Sequence, residues 1–418
     1  MLYSGGQDVS GLNASRDGVR WDVAEESALE FSRRMLITLP RRDQRERGEW
    51  YVSGLLSLSG RKSMRSIASL VGGSAAEQRL QHFISKSPWE WEPVRKALAS
   101  HVDRALAPHA WVVKPMVVLK TGDHTVGVQE SFVPQLGRMA NNQRSYSVWL
   151  ANEQRSVPVN WRLVLPQSWI EDEARRRRAE IPDALCASRR STCALEAALE
   201  VTDGWGLRRR PIVMDAREHD AAALVRRLTR ADVPFVLRVH EETPLIRLDV
   251  LSSYRREQPV SARKLVAGVK WASREVGRAD AESSLTPPAL VTGTKVILPH
   301  LPTDSARPDA KESRTGEPPL QLARVWSGNS RQPRELWLSN LTETAPAVLL
   351  RMGRLTARVD RDFAEVSNEV GAMDFEGRTF GGWHRHMTLT SVAHGFVALS
   401  APRQHAQEPP RWGHLGPA

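Results

Sequence analysis

The 418-residue sequence predicts an α/β protein: an α-helical N-terminal domain, then a sheet core that is interrupted by a β-rich insertion and closed by helices. Three observations predict it. Apolar residues recur at helical spacing through residues 26–108, strand-like runs begin at residue 111, and "RRRPIVMDAREHDAAALVRRLTRADVPFVLRVH" reads as strand, amphipathic helix and strand.

Residues 1–25 are rich in Gly, Ser and Asp and are expected to be loose, and residues 401–418 form a Pro-rich tail expected to be disordered. Within 26–108, Met64, Ile67, Ala68 and Val71 keep helical spacing, with Ser63 as N-cap and Gly72-Gly73 as a stop. A second short helix carries Leu80, Phe83 and Ile84 inward and Gln78, Arg79, Gln81 and His82 outward. Two such helices across a glycine turn, preceded by "PRRDQRERGEW", form a candidate helix-turn-helix with arginines on phosphate. An ordinary helix pair with a polar outer face is the plainer alternative.

The first part of the core, 109–242, opens with "WVVKPMVVL", "RSYSVWLANEQ" and "VPVNWRLVLP", the last two expected as antiparallel neighbours. The charged helical stretch "EDEARRRRAEIP" follows. The strand Pro211 to Met214 then ends on Asp215, a helix bears Ala222, Leu224, Val225 and Leu228, and a second strand runs from Phe235 to Val239. A carboxylate at a strand's C-terminal end stands where open α/β sheets hold ligands and metals, although helix caps stand there too. Residues 243–342 read as the β-rich insertion and 343–400 as the closing helical part, with no internal repeat. Trp161, Trp169 and Trp205 are assigned to packing.

Lys and Arg number 59 against 48 Asp and Glu, a net +11 that favours a polyanionic partner, since each basic group on a phosphate releases counterions. Arginine spread over solvated faces is the plainer alternative. Cys186 and Cys193 fit neither a disulfide framework nor a zinc ligand set and point to a reducing compartment. No apolar run approaches the ~20 residues that span a bilayer, and the N-terminus lacks a signal peptide's apolar centre. A cytoplasmic, nucleoid-associated location is expected, without a membrane or a small-molecule substrate.

A helical head, three strands, a strand ending in aspartate, a β insertion and a late acidic helix match the order of the RNase H-like fold of DDE transposases. The strings "LPRRDQRERGEWYVSGLLSLSGRKSM", "LQHFISKSPWEWEPVRKAL", "VPVNWRLVLPQSW", "RRRRAEIP", "ELWLSNL" and "DFEGRTFGGWHRHMTLTSVAHGF" resemble bacterial insertion-sequence transposases of the DDE superfamily, of the actinobacterial type. The resemblance spans residues 28 to 400. It implies three carboxylates that hold two divalent ions, Mg²⁺ or Mn²⁺, for in-line attack on a phosphodiester. It also implies double-stranded DNA, the terminal inverted repeats, as partner, and a homo-oligomer that holds two element ends.

Carried over position by position, the resemblance implies a degenerate site. Family members read Trp-Val-Val-Asp-Asp-Thr-Gly-Phe at the first strand, whereas this chain reads "WVVKPMVV", with Lys114 and Pro115 in place of the acidic pair. Alignment on the Thr-Gly further along puts Leu119 and Lys120 there instead, and neither register supplies a carboxylate. Asp123 could serve only if its turn folded back. Asp215 matches the family's second aspartate, though "REHD" replaces the usual Gly-Tyr-Gly behind it. Asp360 stands for the helix glutamate and Ser367 for a lysine, while Arg358 is kept. A divalent ion ~4 Å from a unit charge at an effective dielectric of about 20 gains or loses roughly 8 kcal/mol before screening, and lysine reverses that sign.

His384, His386 and His394 read as family structure rather than metal ligands, because i and i+2 point apart on a helix. Arg41, Arg42, Arg45, Arg47, Arg61, Lys62, Arg79 and Arg358 are the candidate DNA contacts, and Asp215 and Asp360 the remaining catalytic and metal ligands. The expected function is a transposase-like protein that binds element ends with impaired cleavage and strand transfer. The alternative is a catalytically inactive, transposase-derived DNA-binding regulator.

Overall fold

The computed structural model describes residues 27–185, 187, 190–248, 258–266, 274–276, 289–299, 318–327 and 334–400. The expectations for the two termini and for Cys186 lie outside the described residues, as does much of 243–342.

Helices occupy the N-terminal part: α1 (27–36), α2 (Arg42–Ser57), α3 (Met64–Ser69), α4 (Ser74–Ser85) and α5 (Glu92–Leu106). Local chemistry sets their ends. Ser63 Oγ accepts from Ser66 N at 3.1 Å to start α3, and α5 ends at Ala107, held at φ 48°. Helix α4 buries Leu80, Phe83 and Ile84 and exposes Gln78, Arg79, Gln81 and His82, as its spacing predicts.

The sheet begins with β1 (Ala110–Leu119), β2 (Val128–Val133), β3 (Arg138–Ala151) and β4 (Ser156–Leu163). Strand β3 pairs antiparallel with all ten residues of β1, Ala110 facing Ala151 and Leu119 facing Asn142. Along the opposite edge of β3 lie β2, against its first half, and β4, against its second. The sequence reading missed β2, "VQESFV", because only its end residues are fully buried and its polar middle gives no apolar run.

Short helices α6 (Gln167–Glu171) and α7 (Glu173–Arg178) and the longer α8 (Arg190–Gly204) lead to β5 (Ile212–Asp215), α9 (Ala221–Arg230) and β6 (Phe235–Arg238). Strands β1, β5 and β6 are mutually parallel. Asp220 caps α9 by accepting from Ala223 N at 3.0 Å. The remaining strands are β7 (Pro244–Arg247), β8 (Val260–Ser261), β9 (Arg274–Val276), β10 (Ala289–Ile297), β11 (Leu320–Ser327) and β12 (Glu335–Ser339). They continue the same sheet, because β12 pairs antiparallel with β6, giving the order β2-β3-β1-β5-β6-β12-β11-β10-β7-β8 with β4 on β3 and β9 on β10.

Helix α10 (Pro346–Asp362) lies on one face, across β1, β5, β6 and β10 to β12. It comes close because Gly353 sits over Trp337, where a Cβ would fall 2.6 Å from the indole. Five π-helical residues (Phe363–Ser367) follow, and then α11 (Phe380–Ser400), buried along most of its length against α2, α4, α5 and β4. One apolar cluster runs from the N-terminal helices through α11 to the α8 face of the sheet, and a second fills the space under α10.

Candidate active site

The parallel pairing of β1 with β5 sets Val113 opposite Met214. The next step of that register puts Lys114 beside Asp215. Side chains alternate along a strand, so Val112 and Val213 share the α10 face, and Lys114 and Asp215 follow them onto it. Helix α10 brings Asp360 to the same place, where its carboxylate pairs with the Lys114 ammonium. Three positions 101 to 246 residues apart in the chain therefore meet at one point, and Lys114, not Lys120, is the residue of β1 that reaches it.

Each carboxylate there is already occupied by a protein cation. The Arg217 guanidinium grips Asp215 in a fork, Nε donating to Oδ1 at 2.9 Å and Nη2 to Oδ2 at 2.6 Å, and Arg217 N donates to Oδ1 at 3.2 Å. Arg238, level with Asp215 on β6, stands 3.8 Å from Oδ2 and 3.7 Å from Glu335. Burial raises the Asp215 carboxyl, but the Arg217 hydrogen bonds and the charges of Arg217 and Arg238 outweigh it and hold the group below its ordinary range. Lys114 is 18% exposed, and its ammonium also sits 5.1 Å from the Phe363 ring centroid. Ser147 Oγ donates to the Lys114 carbonyl at 3.1 Å and accepts from Trp149 Nε1 at 2.8 Å, which braces the strand from below.

This donor set does not fit a pair of divalent ions. A two-metal site needs free oxygen ligands, whereas here Asp215, Asp360 and Glu335 are each paired with Arg217, Lys114 or Arg238, and among the described residues no group of three or more His, Cys, Asp or Glu is placed to hold a metal. Asp123 does not fold back to help, because it pairs with Arg175 at 3.4 Å beyond the far end of β1. The α11 histidines are committed to packing. His386 accepts from Tyr51 OH at 2.8 Å and donates to Gly371 O at 3.0 Å, while His394 accepts from Ser367 Oγ at 2.9 Å and donates to Ser156 O at 2.9 Å. Ser367, expected to stand for the family lysine, is a buried partner of His394.

The candidate DNA contacts divide sharply. Lys62, expected on the surface, is buried: its ammonium binds Leu58 O, its backbone N–H donates to Asp374 at 2.8 Å, and burial lowers its pKa. Its ammonium is therefore turned into the fold rather than towards solvent. Arg45 turns back to Leu39 O at 2.6 Å, Arg61 pairs with Glu376, Arg47 with Asp43 at 3.2 Å, and Arg358 with the buried Asp362. Arg41, Arg42 and Arg79 are exposed. Sequence reasoning missed Arg217, Arg238 and Glu335. The only signal for them was a basic residue two places after the strand-end aspartate, and Arg238 needed the β5–β6 register to be seen.

A family model described as DDE superfamily endonuclease matches residues 34–293, well over half of the chain, a span that includes Lys114 and Asp215. No curated protein matches the sequence.

Proposed function

The chain belongs to the DDE superfamily endonucleases, and from that premise we propose that it is a transposase-like DNA-binding protein whose own side chains block metal-dependent cleavage. The observation that carries the reading is the Lys114–Asp360 ion pair beside the Arg217–Asp215 fork, which puts protein cations where the family chemistry needs metal. The order β4-β3-β1-β5-β6, with β1, β5 and β6 parallel and the third acidic position on α10, supports an RNase H-like core. The net charge of +11 and the exposed arginines of the N-terminal helices support a DNA partner, the ends of an element, bound by a homo-oligomer in the nucleoid. Among the described residues no helix is long and apolar enough to cross a membrane.

The test is nicking and end-joining on DNA that carries the gene's flanking sequences, with Mg²⁺ or Mn²⁺, beside Asp215→Asn and a gel-shift assay. A shifted band without cutting is the expected result. Metal-dependent cutting that disappears in Asp215→Asn would overturn the block, and absence of any shift would overturn the DNA partner.

A further inference from the structure

The two short helices α3 and α4 invite a DNA contact across their turn, but Arg79, the exposed arginine of α4, lies on the outer face of that helix towards α2. A groove of about 520 Å³ runs between the start of α2 and the outer face of α4. Ala75, Gln78, Arg79 and His82 line one wall at i, i+3, i+4 and i+7, a single helical stripe. Arg41, Asp43 and Arg47 form the other wall. Gln44 Nε2 donates to Ser87 Oγ at 3.2 Å and ties α2 to the segment after α4, so the groove has a fixed floor.

Its charge is unbalanced. Asp43 is the sole acid in the lining and is taken by Arg47 at 3.2 Å. Among the described residues neither Arg41 nor Arg79 has an acid within ion-pair distance, and both are exposed. Two guanidiniums without a carboxylate partner thus line one polar channel, which also offers the Gln78 amide and the His82 ring. Guanidinium forks and amide donors are the groups that bind phosphodiester oxygens.

We propose that this α2/α4 groove seats a phosphodiester backbone of DNA, with Arg41 and Arg79 as its two phosphate contacts. The proposal rests on the DNA-binding reading above and assigns the surface that carries it. The proposal does not use the turn between α3 and α4, nor Arg45, which turns back to backbone carbonyls, Arg61, which pairs with Glu376, or the buried Lys62.

The experiment is fluorescence anisotropy of the full chain with a labelled duplex across a salt series, beside R41A/R79A, the conservative R41K/R79K and the charge-matched control R227A/R230A on α9. Each phosphate contact contributes a slope of about 0.9 in log K against log salt, so R41A/R79A should lower the slope by about 1.8 and weaken binding roughly thirtyfold at 0.15 M salt. R41K/R79K should restore most of the slope, and R227A/R230A should leave it unchanged. Circular dichroism melts confirm that the variants fold. If the unmodified chain binds duplex and R41A/R79A binds with the same slope, or if R227A/R230A loses as much, the groove assignment fails while DNA binding stands. If the unmodified chain does not bind, the DNA-binding reading fails as well.

Discussion

The ammonium of Lys114 on β1 is paired with the carboxylate of Asp360 on α10, 246 residues away in the chain. Two positions that resemble metal ligands of a nuclease by place in the sequence are thus joined to each other. The pair satisfies the charge of both groups and removes the negative field that would attract a divalent ion.

Restoring that field should restore cation binding in two steps. Lys114→Asp puts a third carboxylate beside Asp215 and Asp360, but Arg217 still grips Asp215, so Lys114→Asp alone should bind Mn²⁺ weakly. Lys114→Asp with Arg217→Ala should bind it at least tenfold tighter. Calorimetric titration with Mn²⁺ reads both variants, and equal affinity in the two would show that the Arg217 fork is no obstacle.

Neighbouring aspartates on α10 should differ greatly in their worth. Asp360 is 65% exposed, so Asp360→Ala removes a screened pair and should cost under about 1 kcal/mol. The stranded cations, Lys114 and Arg358, are about equally buried, but Asp362 is itself 8% exposed and accepts from Ser156 Oγ at 2.7 Å, so Asp362→Ala breaks a buried network and should cost about 3 kcal/mol or more. Urea midpoints of the two variants compare them directly, and a larger loss for Asp360→Ala would contradict the assignment.

Acid should destabilise the protein well above the carboxylate range. Burial pushes His386 and His394 from 6.5 down to about 4, and His384, buried between Trp91 and Phe380 beside Arg95, is held well below 6.5. The unfolded chain gains these protons near pH 6.5 while the folded chain resists them. Stability is therefore full above that pH and falls as pH drops towards 4, by about 2 kcal/mol per histidine between pH 7 and 5. Urea unfolding at pH 7 and pH 5 measures the change, and unchanged stability would mean these rings are not held neutral.

Gly353→Ala should loosen the helix that carries Asp360. Its Cβ would fall 2.6 Å from the Trp337 indole, which is itself buried, and overpacking of this kind costs about 1–3 kcal/mol. Chemical denaturation measures the loss, and near-UV circular dichroism should report displacement of the Trp337 ring. A variant with unchanged stability and spectrum would show that α10 stands further from β12.

Much of the core was legible in the residues. The strand ending on Asp215 and the helix after it follow from local periodicity, and both appear as β5 and α9 with Leu224, Val225 and Leu228 buried. That Lys114, Pro115, Leu119 and Lys120 include no acid is also read directly from the sequence. Periodicity reports which side of an element is buried, however, and says nothing of what lies across the gap. Only the β1–β5 register chose Lys114 over Lys120, and only the fold showed Arg217 and Arg238 on Asp215, Lys62 inside, and Arg41 and Arg79 lining one groove. Those relations depend on strand pairing and helix packing between residues far apart in the chain, where charge in the sequence is the same whether a side chain meets a partner or meets solvent.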